Sequence, residues 1–136
     1  MAELGIASGP LCGVVLFVAL AGGQVPRARP PAGPRALTLR WLWIAALAGF
    51  EELVWRGLVL GGLMLALGSA VALLVSSAGF AAWHAPALGR RCVVHAITGF
   101  GFGSAFLVGG LGAAALAHAT FNVLVDWGVH VDRARS

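Results

Sequence analysis

The sequence contains no lysine and no tyrosine, two cysteines, and only 14 charged residues in 136, nine of them Arg and five Asp or Glu. A soluble domain carries about a quarter charged residues. At 10% charged and 60% hydrophobic, this composition excludes an ordinary aqueous domain. It also excludes nucleic acid as a partner, because a basic patch for that purpose needs a water-facing surface. The net charge of +4 comes from Arg clustered in short stretches, which read as topology signals and anionic-lipid contacts. Cys12 and Cys92 lie in apolar runs without CxxC or metal-like spacing, so they read as buried free thiols. The length allows one domain, and no internal repeat is visible.

What is present is a series of long apolar stretches. They predict an all-α, polytopic integral membrane helix bundle of about five transmembrane helices, four of which form a core. Residues 1–24 are expected to hold an N-terminal transmembrane helix. Val14 to Leu20 followed by Ala-Gly-Gly is similar to a signal-peptide core and cleavage site, but Glu3 and the lack of a leading Arg or Lys favour a retained helix. Residues 25–37 carry four of the six prolines and three Arg, and predict an extended cytoplasmic loop. The core is expected over 38–128, with helices from Leu39 to about Leu65, Ala70 to Ala85 (stopping at Pro86), Cys92 to Val108 and Ala113 to Trp127. The breaks are expected near 66–69, 86–91 and 109–112. Residues 129–136 form a basic tail. Several spans are shorter than the roughly twenty residues that cross a bilayer.

The charges agree with this count. Five spans bring the Arg-bearing stretches 25–40, 89–91 and 129–136 to one side, whereas 66–69 and 109–112 carry no charge. By the positive-inside rule the shared side is cytoplasmic, with the N-terminus outside and the C-terminus inside a plasma membrane. Trp41, Trp43, Trp83 and Trp127 suit an aromatic belt on that side, while Trp55 lies deeper. His95 and His130 are expected at the cytoplasmic boundary.

Three of the 14 charges, Glu51, Glu52 and Arg56, sit inside a predicted span. A charge at bilayer depth costs about 2.5–3.5 kcal/mol on insertion scales, so such residues mark function by default. At 1.5 Å rise per residue, Glu51 lies roughly 16 Å from Arg40, His84 about 9 Å from Arg90, and His118 about 12 Å from Asp126. Three helices therefore bring their deep ionisable groups to one level. Glu52 and Arg56 are spaced i, i+4 with the acid first, the better order for an ion pair. Glu51 then points about 100° away, towards a cavity. Phe80 and His84 share a face, as do His118 and Asn122.

A carboxylate in a dry pocket suits the general base for a bound water, with a neighbouring His orienting that water. Asn and His donors suit a developing oxyanion. The set reads as hydrolysis of an acyl bond. Ser76, Ser77 and Thr98 have no base at helical spacing. Zinc is the open alternative, with Glu51, His84 and His118 as the ligand types, although no HExxH motif is present. Each element also has a structural reading: a buried ion pair, an interfacial His beside Pro86, and interhelical hydrogen bonding by His118 and Asn122.

Glu51-Glu52-x-x-x-Arg56, Phe80-x-x-x-His84 and His118-x-x-x-Asn122, in that order on successive helices, resemble the CPBP family of intramembrane proteases. That family includes the type II CAAX prenyl endopeptidases and the bacterial Abi and bacteriocin-immunity proteins, and the resemblance covers about 38–128. It implies an intramembrane endopeptidase that cuts a hydrophobic or lipid-associated peptide with water activated by Glu51 and His84. His118 and Asn122 would stabilise the oxyanion, with Glu52 and Arg56 as the supporting pair and Phe80 as a wall. The family is described both as metalloproteases and as metal-free glutamate proteases. The alternatives are a non-catalytic immunity or regulatory partner with the same fold, and a small transporter, against which the lack of inverted repeats counts. The Arg-rich, Lys-free, Ala/Gly-rich composition points to a bacterial source by association.

Overall fold

Long apolar runs with few helix breakers should fold into long helices, and the computed structural model, which describes residues 2–20 and 33–134, consists of them. Helix α1 spans Ala2–Leu20, α2 Pro34–Glu52, α3 Gly61–Leu88 and α4 Val93–Ala134. A π-helical segment, Leu53–Leu60, joins α2 to α3, and one 3₁₀ turn, Gly89–Cys92, joins α3 to α4. Among the described residues there is no strand. The remaining residues, including most of the expected loop at 25–37 and the end of the basic tail, lie outside the description, as does the side chain of His130.

Two long helices are broken by glycine. Gly68 in α3 has φ 74° and ψ 164°, and Gly110 in α4 has φ 72° and ψ −168°, a region essentially reserved for glycine. These breaks fall inside the expected connections at 66–69 and 109–112. Three boundaries differ from expectation, one of them the end of α4, which runs on to Ala134 through residues expected as a tail. Helix α2 starts at Pro34, within the expected loop, because a proline in the first turn removes an N–H that has no intrahelical acceptor. Helix α3 runs past Pro86 and ends at Gly89, whose φ of 56° and ψ of −133° turn the chain.

Burial is inverted relative to a water-soluble protein. Glu52 is 0% and Arg56 2% exposed, whereas Leu65 is 92% exposed. The stretch Pro34–Trp127 is long and apolar enough to cross a membrane, and most of its apolar surface faces outward. Lipid rather than water is the surround in which this arrangement is stable, since outward leucines then lose nothing and buried charges gain partners.

Helix α4 is the central element: α1, α2 and α3 each pack against it. With no hydrophobic effect between helices in lipid, close approach has to supply the attraction. Along α1, Gly5 faces Gly109, Gly9 faces Ala113 and Gly13 faces Ala117, one contact per four residues on each helix. A Cβ at Gly5 would stand 3.0 Å from the Gly109 Cα. At the opposite edge, Asp126 accepts from Arg40 through Nε at 2.9 Å and Nη2 at 2.6 Å, and from Trp41 Nε1 at 3.1 Å. This three-donor clamp ties the start of α2 to the last described turns of α4.

Candidate active site

The acidic pair lies where α2 passes into the π-helical segment. Glu52 and Arg56 are four residues apart, and Arg56 Nε stands 3.0 Å from Glu52 Oε2, an ion contact without hydrogen-bond alignment. Arg56 Nη2 donates to the Gly99 carbonyl at 2.9 Å, and the guanidinium lies 4.7 Å from the Phe80 ring centroid. Gly99 lets α4 lie close to α3 here: a Cβ would stand 3.2 Å from Phe80 and 3.3 Å from the Ser77 Cα. The second oxygen of Glu52 accepts from His118 Nδ1 at 2.8 Å. Glu52 therefore joins α2 to α4 as well as neutralising Arg56. The i, i+4 spacing foretold only the second of these.

His118 is held on its face too. Phe102, four turns earlier on α4 and across the Gly110 break, stacks on it at 4.5 Å between centroids and 18° between planes. Because Nδ1 donates to Glu52, the other nitrogen, Nε2, is turned to the cavity side, 3.9 Å from Glu51 Oε2. Glu51 itself is 42% exposed, in contrast to its buried neighbour. Adjacent residues on a helix thus have different roles: one carboxylate is locked in the bundle and one is open.

His84 sits on α3. Its Nδ1 is 2.8 Å from the Phe80 carbonyl. A carbonyl only accepts, so Nδ1 carries the proton, and in the neutral ring Nε2 is an acceptor. Phe80 is 1% exposed and its ring makes T-shaped contacts with Trp55, His84 and His118. Trp55, expected deep and near the site, packs behind Phe80.

These groups enclose a cavity of about 120 Å³ lined by Glu51, His84, His118 and Asn122, with Phe80, His95 and Thr98 among its walls. All four residues expected to carry the chemistry line it. Glu52 and Arg56 lie behind it. His95, expected at the membrane boundary, is also a wall of the cavity and stacks on His84. The 3₁₀ turn and the start of α4 place it beside His84 from a different helix. A lone His near a helix end offered no spacing signal for that.

The cavity has ample room for a water, whose share of liquid volume is about 30 Å³. A metal is a different matter. Among the described residues no three His, Cys, Asp or Glu side chains converge as an ion-holding group, so Glu51, His84 and His118 as arranged do not form a three-ligand zinc site. The bond from His118 Nδ1 to Glu52 is neutral on this point, because it leaves Nε2 facing the cavity, as in metal-binding histidines. The two thiols, Cys12 and Cys92, are free and half-buried away from the cavity.

Comparison with known proteins places one family beside this geometry. The sequence model described as type II CAAX prenyl endopeptidase, Rce1-like, matches residues 34–124, more than half of the chain, including all three polar motifs and leaving out α1. No curated protein and no solved structure matches the chain.

Proposed function

The chain belongs to the Rce1-like family of type II CAAX prenyl endopeptidases, a family of membrane proteases, and on that premise we propose that it is an intramembrane endopeptidase using water activated by Glu51 and His84. The observation that carries this reading is one cavity walled by an accessible carboxylate, an accepting imidazole and two donor-bearing side chains. Glu51 takes a proton from the water while His84 Nε2 accepts its second hydrogen as a hydrogen bond. The water oxygen forms the bond to the peptide carbonyl carbon. The oxyanion forms against Asn122 and His118. The C–N bond then breaks, and the proton held by Glu51 passes to the leaving amine.

Hydrogen-bond bookkeeping separates the two oxyanion donors. His118 already donates through Nδ1 to Glu52, so a donor at Nε2 requires the imidazolium form. The Asn122 amide donates in any protonation state. Glu52 and Arg56 hold His118 in place and do not touch the substrate.

The substrate is a hydrophobic or lipid-associated peptide that reaches the cavity from the membrane. Lipid faces the outward leucines, and the protein crosses a bacterial plasma membrane several times, with the Arg90–Arg91 turn on the cytoplasmic side. The test is cleavage of a panel of membrane-tethered peptides, prenylated and unprenylated, by purified protein in lipid. Wild type is compared with Glu51→Gln and His84→Ala, with and without a zinc chelator. Cleavage that is lost in both variants and indifferent to the chelator supports the reading. Chelator-sensitive cleavage restores the metal alternative. No cleavage by folded wild type favours a non-catalytic partner of the same fold.

A further inference from the structure

Most of the ionisable groups near the cavity have a role in the proposed reaction; His95 has none. It comes from the first turn of α4, immediately after the 3₁₀ turn Gly89–Cys92. Its ring lies 4.2 Å from the ring of His84, centroid to centroid, with 25° between planes. Phe80 is also close, at 5.8 Å. Its Nδ1 is buried and has no hydrogen-bond partner among the described residues.

Those contacts define what fixes His84. The hydrogen bond from Nδ1 to the Phe80 carbonyl sets the ring plane at one edge. The Phe80 ring makes a T-shaped contact with it, 4.6 Å between centroids and 64° between planes. A single hydrogen bond still allows the imidazole to tilt about it, which would swing Nε2 away from a water held by Glu51. The parallel face of His95 closes that freedom. We infer that His95 is a positioning residue: by stacking on His84 it holds the Nε2 lone pair towards the catalytic water. This inference rests on the proteolytic reading of the same cavity.

The stack acts through the ring face, so it distinguishes face from nitrogen. His95→Ala removes the face, and His95→Phe keeps a flat ring without nitrogens. With peptide cleavage as the readout, His95→Ala should lower kcat by about 10- to 100-fold, the range a small misplacement of a reacting group produces, with KM nearly unchanged. His95→Phe should recover most of that loss. If His95→Ala cleaves like wild type, or if folded His95→Phe is as impaired as His95→Ala, the inference is overturned. A fall in binding instead of kcat would also overturn it, because His95 would then contact substrate.

A second measurement is independent of turnover. In protein labelled with ¹³C-histidine, the order parameters of the His84 ring C–H bonds, assigned by loss in His84→Ala, should fall in His95→Ala and stay near their wild-type values in His95→Phe. Unchanged ring order in His95→Ala sinks the inference even if no substrate has been found. A wild type that cleaves nothing while ring order behaves as expected would count against the protease reading alone.

Discussion

At the scale of single residues, two neighbouring carboxylates carry opposite expectations. Glu51 is open to the cavity and Glu52 is closed within the bundle. Glu51→Gln keeps size and hydrogen-bonding groups but loses the base, and should lower kcat by about 10²- to 10⁴-fold while the melting temperature in detergent hardly changes. Glu52→Gln should act first on stability, and should lower kcat as well because the carboxylate holds His118. It leaves Arg56 at 2% exposure without its counter-charge, and removing one partner of a buried pair typically costs about 3–5 kcal/mol. A thermal scan in detergent separates them: a Glu51→Gln protein as unstable as Glu52→Gln would contradict the division of roles. Asn122→Ala belongs with Glu51, with an expected loss of about 10²- to 10³-fold in kcat. Much of that division was legible in sequence, since i, i+4 spacing to Arg56 singled out Glu52. The bond from His118 to Glu52 was not, because helical periodicity carries no information about which residue of another helix lies opposite.

At the scale of elements, the glycines divide by conformation. Gly110 has nothing within 4 Å of the place a Cβ would occupy, yet its φ of 72° excludes other residues. Gly112, two residues on, is equally uncrowded but helical. The two substitutions should therefore have opposite signs. Gly110→Ala should destabilise by about 1–3 kcal/mol, the usual cost of such backbone strain. Gly112→Ala should be neutral or stabilise by up to about 1 kcal/mol. Parallel thermal scans check this, and equal effects would mean the break at Gly110 is not held by its backbone. The positions of both breaks were visible as Gly-rich interruptions. The extension of α3 past Pro86 was not, because a proline near a helix end removes one bond that two further residues tolerate.

At the scale of the whole molecule, the Arg distribution and the glycine breaks make a joint statement about sidedness. In a protein whose Cys12 and Cys92 are replaced by Ala, a membrane-impermeant maleimide added to intact cells should label Ser69→Cys. Ala87→Cys, beside the Arg90–Arg91 turn, should label only after the membrane is opened. Labelling of both from one side would contradict the proposed multi-pass topology, whatever happens at the cavity.

The sequence by itself determined the helical class, the lipid-facing composition, the breaks at Gly68 and Gly110, and the family, whose motifs depend only on spacing within single helices. Tertiary structure alone decided which helix lies against which. It packed α1 along α4 through Gly5, Gly9 and Gly13, joined Asp126 to Arg40 and Trp41, and brought His95 onto His84. The physical reason is the solvent. In water an amphipathic stripe announces the buried face of a helix, but in lipid both faces are apolar, so periodicity loses that signal. Partner choice then falls to close-packed glycines and a few polar bonds, whose geometry exists only once the helices are side by side.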